Sequence, residues 1–248
     1  MTVLGVAVAG ASGRMGRALI DAVNGAPDLA LRGTLDLGSD LAAGLDGADV
    51  LIDFTRPEGT MSHLEACRAR GVKMVIGTTG FSDAQKREIA RAADSIAIVM
   101  APNMSVGVNV MMTLVEQAAR TLGNAFDVEI VETHHRMKVD APSGTALGIG
   151  EAAARGLGLS LDEAAVRDRD GEPRRAGTIG FASLRGGDVV GDHTALFAGT
   201  GERIEITHRA ASRATYAEGS LRAARFLAGR RTGLHGMAEV LGLGGATP

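Results

Sequence analysis

Short apolar, strand-like runs alternate with longer helix-like runs through roughly the first hundred residues of the chain. Strands that alternate with helices in this order favour a parallel sheet covered by helices on both faces. The predicted strands are residues 3–8, 29–35, 49–53, 72–76 and 96–100, and the predicted helices are residues 17–23, 57–70 and 82–93. Because ligands of such sheets bind outside the carboxyl ends of the strands, the loops there are candidate site segments.

The pattern changes after Ser105, where the strict alternation of strand and helix ends. A long amphipathic helix is predicted at 108–122, a strand at 126–133 and a further helix after Ser143. The last predicted elements are β-like runs at 178–185, 188–198 and 203–209 and a helix at 214–227. We expect the three β-like runs to pair antiparallel in a mixed sheet with the strand at 126–133, which predicts an α+β domain.

Composition restricts the functional classes that fit the chain. Its 248 residues are 45% apolar, but no apolar run is long enough to span a bilayer, so no membrane partner is expected. The formal charge is −3 with both signs spread along the chain, which argues against a nucleic-acid partner. A strand that starts almost at once leaves no room for a signal peptide, and a single cysteine fits a reducing compartment. We therefore expect a cytoplasmic protein.

A glycine-rich segment follows the first predicted strand. Gly10-Ala-Ser-Gly-Arg-Met-Gly16 leads into a helical run, and glycines at this place permit a tight turn and the close approach of a pyrophosphate. The second strand ends at Asp36, about twenty residues beyond Gly16, where a carboxylate accepts hydrogen bonds from a ribose diol. Strand, glycines, helix, strand and acid in this order predict a dinucleotide site in a Rossmann-like domain.

The segment 132–145 carries the clearest candidate chemistry. It contains the adjacent histidines His134 and His135, then Lys138, then a small-residue loop that opens a predicted helix at Ser143. Imidazole and ammonium groups transfer protons near neutral pH, and the N–H groups at a helix start bind anions. The segment is therefore predicted to bind an acidic substrate and protonate it. As alternatives, the histidines form only a hydrogen-bonded pair or a partial metal site, and Ser143 only caps the helix.

No metal is expected in this site, because a structural zinc needs four ligands and the chain offers one cysteine and no third histidine nearby.

Nearly the whole chain can be matched, in order, to segments of one known family. The segments are Gly10–Gly16, Asp53–Gly59, Val75–Phe81, Ala101–Asn109, His134–Ala146, Gly177–Phe181, Gly187–His193 and Glu205–Arg213. They resemble those of the bacterial dihydrodipicolinate (4-hydroxy-tetrahydrodipicolinate) reductases of lysine biosynthesis. The segment from His134 to Ala146 is highly specific to that family.

The resemblance implies an oxidoreductase of the diaminopimelate route to lysine. Such an enzyme reduces 4-hydroxy-tetrahydrodipicolinate, by way of dihydrodipicolinate, to tetrahydrodipicolinate by hydride transfer from NADH or NADPH. His134 matches the family's catalytic histidine and Lys138 its proton-donating lysine. The alternative is another nicotinamide-dependent imine reductase or an amino-acid dehydrogenase. A redox-sensing regulator fits less well, because the sequence offers no nucleic-acid-binding element.

The resemblance also assigns binding residues. His135, Gly144 and Thr145 match substrate-binding positions, and Ser143 lies in the same loop. Arg213 is a further cation for a dianionic substrate or only a surface arginine. The cofactor residues are Gly10, Ala11, Ser12, Gly13, Arg14 and Met15 for the pyrophosphate, Asp36 for the adenosine ribose, and Gly77, Thr78, Thr79, Ala101, Pro102, Asn103 and Met104 along the nicotinamide half.

The family further implies two domains and a homotetramer. Residues 1–104 and 214–248 are expected to form a discontinuous dinucleotide-binding domain. Residues 105–213 are expected to form an α+β domain with a mixed open sheet, which binds the substrate and builds the oligomer.

The residues after Asp36 predict a preference for NADH over NADPH. A 2′-phosphate needs a cation near this acid, and family members that accept NADPH often carry a base directly after it. Here the sequence runs Asp36-Leu-Gly-Ser-Asp40, with no base and a second acid, so Arg14 and Arg32 are the candidates to offset the repulsion. The connection from Asp36 to Asp49 is also shorter than in relatives, which leaves the wall of the adenine pocket undefined.

Overall fold

The computed structural model describes residues 3–243 of the chain. These fall into two compact units. The first unit is made of the residues up to Val106 together with those from Arg213 onward, and the second is Gly107–Ser212. The division lies two residues beyond the predicted first boundary and one residue before the predicted second boundary.

The elements follow the predicted order with a few additions. The strands are β1 (Leu4–Ala9), β2 (Leu29–Leu35), β3 (Val50–Asp53), β4 (Lys73–Ile76), β5 (Ala97–Met100), β6 (Asp127–His134), β7 (Ala165–Val166), β8 (Ile179–Arg185), β9 (Gly191–Ala198), β10 (Arg203–Ala210) and β11 (Gly233–His235). The helices are α1 (Arg14–Gly25), α2 (Leu41–Gly44), α3 (Pro57–Arg70), α4 (Asp83–Ala92), α5 (Val106–Leu122), α6 (Gly144–Leu157), α7 (Leu161–Ala164), α8 (Ala214–Ala228) and α9 (Met237–Val240). No helix within the described residues is long and apolar enough to cross a membrane.

The first unit is built on a six-stranded sheet with the order β11-β5-β4-β3-β1-β2. Every pair of neighbours in it is parallel, which confirms the predicted parallel sheet. Alternate residues of each strand face opposite sides, so Val6, Val8 and Ile52 pack with α1 and α8 while Ala7 and Leu51 pack with α3 and α4. The strands are therefore buried on both faces, as their continuous apolar runs indicate.

The second unit contains a five-stranded mixed sheet with the order β10-β9-β6-β8-β7. β9 pairs antiparallel with both β6 and β10, as predicted, but β8 pairs parallel with β6, so the antiparallel expectation was wrong for this strand. The physical reason is the connection: a parallel neighbour needs a long crossover, and α6 lies between β6 and β8 in the chain. The short link from β9 to β10 permits the antiparallel pairing of these two strands.

One face of this sheet packs on α5 and α6 through Val115, Ile149, Ile130 and Phe197. Along β6 the buried positions alternate strictly with less buried ones. The alternation that places Ile130 in the core also buries the two polar residues at the end of the strand, Glu132 and His134. The fold therefore carries polar chemistry to the helix-covered face of the sheet.

Candidate functional site

The strand end of β6 holds a buried carboxylate beside a buried imidazole. Glu132 is 1% exposed and His134 is 8% exposed, and Nδ1 of His134 lies 2.5 Å from Oε2 of Glu132. Residues two apart on a strand point to the same face, which explains how adjacent core positions bring these groups together. A carboxylate only accepts hydrogen bonds, so Nδ1 of His134 carries the hydrogen when Glu132 is ionised.

Arg185, the last residue of β8, neutralises Glu132. Its Nη1 and Nη2 atoms donate to the two carboxylate oxygens, each over 2.8 Å. Burial raises the pKa of Glu132, but hydrogen bonds from Arg185, Ser183 and His134 outweigh burial and lower the pKa to about 2. The carboxylate is therefore a fixed negative charge at neutral pH, held in a planar two-point pair.

The start of α6 lies against the same carboxylate. The backbone N–H of Ser143 donates to Oε1 of Glu132 over 3.2 Å, and Oγ of Ser143 accepts from the N–H of Ala146 as a helix cap. Ser143 is only 2% exposed, and its Oγ is also 3.3 Å from Nε2 of His193. Ser143 thus fixes the loop onto the sheet, and the first N–H groups of α6 that follow it are those of Gly144 and Thr145.

Two further imidazoles crowd the site from β9 and β10. The ring of His193 meets that of His134 edge to face, with centroids 5.0 Å apart, and His208 pairs with His193 across the strands. Burial lowers the pKa of His193 to about 4, and His134 adds to that shift. Burial also lowers the pKa of His134, against the opposing effect of Glu132. The cluster is therefore neutral at its histidines under physiological conditions.

Lys138 lies in the loop between β6 and α6. Its Nζ donates to Oδ2 of Asp140 over 2.8 Å, and its side chain is 21% exposed. Burial raises the pKa of Asp140, but the hydrogen bond and charge of Lys138 lower it below its usual range. The contact indicates that Asp140 orients the ammonium group of Lys138. His135 lies in the same loop and is half-buried, and its backbone carbonyl accepts a hydrogen bond from the N–H of Lys138.

In the first unit the glycine segment forms the predicted tight turn after β1. Gly10 has φ +77°, a left-handed conformation that side chains rarely adopt, and a Cβ on Gly16 would lie 2.1 Å from the Gly10 carbonyl oxygen. α1 starts at Arg14 and has no side-chain cap among the described residues. The N–H groups of Arg14 and Met15 therefore begin a helix whose positive end suits the pyrophosphate of a dinucleotide.

A cavity of about 950 Å³ opens at the carboxyl edge of this sheet. It is lined by Gly10, Ser12, Gly13 and Asp36 of the predicted cofactor set, and by residues of α3 and of the loop before it. Asp36 accepts from the N–H and the hydroxyl of Ser12 over 3.0–3.2 Å and remains exposed. A dinucleotide fits this lining, since a wide cavity joins the uncapped helix start to a ribose-accepting carboxylate.

The cavity also receives a cation that the sequence patterns did not single out. Arg56 lines it together with Glu58 and His63, whereas Arg32 packs beside Gly5 and Gly47. Arg14 is exposed at the start of α1 and is not among the residues that line this cavity. Arg56 is therefore a further candidate base at this cavity, and the roles predicted for Arg14 and Arg32 stay predictions.

The remaining predicted cofactor residues follow neighbouring strands of the same sheet. Gly77–Thr79 follow β4 and Ala101–Met104 follow β5. Thr78 is buried and donates to Oδ1 of Asp53, which His63 contacts through Nδ1 at 2.7 Å. This network fixes the loops after β3 and β4 on each other at the edge where the glycine turn also lies.

Sequence reasoning missed four residues of these sites: Glu132, Arg185, His193 and Arg56. Three of the four lie inside segments that were matched or quoted, but only the strand register of the second unit reveals that Glu132 faces both His134 and Arg185. Arg213 lies at the N-cap position of α8 in the first unit, so its predicted role in substrate binding stays a prediction.

Comparison with known proteins gives one consistent result. The family model described as dihydrodipicolinate reductase, N-terminus, matches residues 4–104, and the one described as dihydrodipicolinate reductase, C-terminus, matches residues 107–241. The 4-hydroxy-tetrahydrodipicolinate reductase of Nitrosospira multiformis is 56% identical over 98% of this chain and 99% of its own. That of Herminiimonas arsenicoxydans is 55% identical over 98% of this chain and 100% of its own.

A solved structure agrees with the sequence relatives. The dipicolinate-bound dihydrodipicolinate reductase of Paenisporosarcina sp. TG-14 superposes with a TM-score of 0.76 at 25% identity. The match covers 96% of this chain and 99% of that one, so both units have counterparts in it.

Proposed function

The chain belongs to the dihydrodipicolinate reductase family, as its sequence segments predicted, and we propose that it reduces 4-hydroxy-tetrahydrodipicolinate to tetrahydrodipicolinate in the diaminopimelate route to lysine. The observation that carries the proposal is the cluster at the end of β6. A neutral His134 on a fixed carboxylate and an ion-paired Lys138 flank the loop that opens α6. A lysine proton donor and an oriented histidine beside an anion-binding helix start suit the reduction of a dicarboxylate.

The second unit is proposed to hold the substrate. Its two carboxylates need donors, and the N–H groups of Gly144 and Thr145 at the start of α6 provide them for one carboxylate. His135 and Lys138 of this unit are the proposed partners of the other, and the role of Arg213, which lies in the first unit, stays a prediction. Ser143 is proposed to act here mainly through its position, because its N–H and hydroxyl already bond to Glu132, Ala146 and His193.

The chemistry divides between hydride and proton. A bound nicotinamide cofactor supplies the hydride to the conjugated imine of the substrate. Lys138 is proposed to deliver the proton that neutralises the developing negative charge, and Asp140 holds its ammonium group in place through the 2.8 Å ion pair. His134 is proposed to be the catalytic histidine of the same step, held in one orientation by its hydrogen bond to Glu132.

The first unit is proposed to bind the dinucleotide. The start of α1, with the segment Gly10–Met15, takes the pyrophosphate, and Asp36 takes the adenosine ribose. The loops Gly77–Thr79 and Ala101–Met104 lie along the nicotinamide half, and NADH is the preferred cofactor. We further propose that the protein is cytoplasmic and forms a homotetramer through the second unit.

The rival function is a different nicotinamide-dependent reduction, such as that of an amino-acid dehydrogenase. The two functions are distinguished by measuring the loss of absorbance of the reduced cofactor with two sets of substrates. One is freshly generated dihydrodipicolinate synthase product, and the other is 2-oxo acids with ammonia. We expect rapid oxidation with the first and negligible oxidation with the second. Turnover of 2-oxo acids with an inert synthase product would reverse the assignment.

A further inference from the structure

Arg185 uses all four N–H groups of its two terminal nitrogens at the site. Nη1 and Nη2 each donate to one oxygen of Glu132 over 2.8 Å. Nη1 also donates to the Leu184 carbonyl and Nη2 to the Asp140 carbonyl, both over 2.6 Å. The planar guanidinium therefore joins β6, β8 and the loop after β6 in one rigid arrangement.

We propose that Arg185 is a positioning residue, which fixes the Glu132 carboxylate and thereby sets the orientation and the protonated nitrogen of His134. The inference rests on the proposed function for the role of His134 in catalysis. The hydrogen bonds on which it depends lie within the second unit, Gly107–Ser212, which contains Glu132, His134, Asp140 and Arg185.

The tautomer of His134 follows from the state of Glu132. An ionised carboxylate can only accept, so Nδ1 of His134 donates and Nε2 keeps its lone pair. A protonated or displaced Glu132 permits the opposite tautomer. The bidentate pair with Arg185 holds the carboxylate ionised and in one orientation, which is the condition for a single His134 tautomer.

The Arg185 guanidinium also connects His134 to the loop between β6 and α6. The loop from His135 to Ser143 is tied to Arg185 through the Asp140 carbonyl and to Glu132 through the Ser143 N–H. Loss of Arg185 should therefore disturb two things together, the state of His134 and the start of α6. The predicted consequence is a fall in kcat accompanied by a rise in the KM for the dicarboxylate.

The charges that face His134 come from every neighbouring element. Glu132 on β6 raises the pKa of His134, while Arg185 on β8 and Lys138 in the loop lower it, in addition to the lowering by burial. His193 on β9 packs against the ring, and Asp140 pairs with Lys138. Glu132 and Arg185 thus shift the pKa of His134 in opposite directions, so substitutions of the two residues should shift that pKa in opposite directions as well.

The test is an NMR titration of the His134 ring in the full-length, histidine-labelled protein without substrate, using Arg185→Gln and Glu132→Gln variants. We expect Arg185→Gln to raise the pKa of His134 and to mix its tautomers, and Glu132→Gln to lower that pKa. The matched control is Arg174→Gln, because Arg174 forms a similar pair with Glu129 on the same strand β6, away from His134. An Arg185→Gln titration that superposes on the wild-type and Arg174→Gln curves overturns the proposal.

Kinetics of Arg185→Lys supply the second readout and cover the case in which Arg185→Gln does not fold. Lysine keeps the charge but cannot form the planar pair, so we expect kcat to fall roughly tenfold to a hundredfold, a part of the about 10²–10⁴ that proton transfer contributes. Arg174→Lys should retain wild-type kcat. Equal losses of kcat in Arg185→Lys and Arg174→Lys would show that Arg185 has only a structural role and would overturn the proposal. An inactive wild-type protein that still gives the expected His134 titrations would refute only the proposed function.

Discussion

Single residues at the end of β6 show how the site combines burial with charge. Glu132 is a fully buried acid, a residue type that is expensive to bury unless it is paired. It receives hydrogen bonds from Arg185, His134 and Ser143, so its lone pairs are occupied and its charge is neutralised. The residue is therefore a fixed anion beside the proposed catalytic groups, and removing one partner leaves its buried charge without full compensation.

Replacement of Lys138 by alanine tests the proposed proton donor. We expect Lys138→Ala to lower kcat by about 10²–10⁴ while KM changes much less, because the proton is delivered in the transition state. Steady-state kinetics with both substrates provide the measurement. Lys86→Ala on the surface of α4 is the matched control and should keep wild-type kcat. An unchanged kcat in Lys138→Ala removes the lysine from the mechanism.

Cofactor preference is decided by the few side chains around the ribose. The Asp36 carboxylate repels a 2′-phosphate, so we expect a lower KM for NADH than for NADPH. Arg56 lines the same cavity and is a candidate base to offset that repulsion. Arg56→Gln should therefore raise the KM for NADPH more than the KM for NADH. Equal or lower KM for NADPH in the wild-type protein, measured at moderate salt, would contradict the preference.

The longer helices were predicted well. The helix at Pro57–Arg70 has the predicted bounds, and the parallel sheet follows from the alternation of strands and helices. The pairing direction of β8 was not predictable from its own residues, because it depends on where α6 returns the chain. Short elements such as β7, β11 and α2 were missed, since two to four residues carry too little periodicity to stand out.

The start of α1 offers a test of how an element supports the cofactor site. A Cβ at Gly16 would lie 2.1 Å from the Gly10 carbonyl oxygen, so Gly16→Ala must push α1 away from the glycine turn. We expect a KM for NADH that is raised by roughly tenfold or more, the effect of losing about 1.4 kcal/mol of binding. Gly25→Ala, at the other end of α1 with open space around it, is the control and should leave KM unchanged. Equal KM values for both variants would show that the helix start does not hold the dinucleotide.

The molecule as a whole consists of two units whose sites have different origins. The proposed dinucleotide site could be predicted from the sequence, because the glycine turn and Asp36 are local features separated by a fixed spacing. In the second unit the segment from His134 to Ser143 was predictable by its residue types. Arg185 and His193 were not, since they reach it only through the strand order β9-β6-β8. These two residues could not be predicted because the pairing of distant strands cannot be read from a single sequence.

Stability of the molecule should decline on acidification through its buried histidines. The pKa of His193 is about 4 in the folded protein against 6.5 ordinarily, so the unfolded chain takes up the proton first. The contribution is fully present above pH 6.5 and is lost as the pH falls toward 4, and the loss of stability amounts to about 2 kcal/mol by pH 5. Glu132, with a pKa lowered from 4.5 to about 2, adds a separate loss below pH 4.5.

Urea denaturation at about pH 7 and about pH 5 measures this effect as a difference in unfolding free energy. His193→Gln removes the titrating ring, so the loss of stability between the two pH values should shrink by about 2 kcal/mol relative to the wild-type protein. The same loss in both proteins would show that His193 is not the group responsible.

The most direct test of the proposed function follows the hydride itself. The purified protein is incubated with freshly generated dihydrodipicolinate synthase product and NADH that is deuterated at its transferable position, and the product is analysed by mass spectrometry. We predict tetrahydrodipicolinate that carries one deuterium per molecule, formed together with an equal amount of oxidised cofactor. Cofactor oxidation without deuterium in the dicarboxylate, or no reduction of the dicarboxylate with either nicotinamide cofactor, would contradict the proposed function.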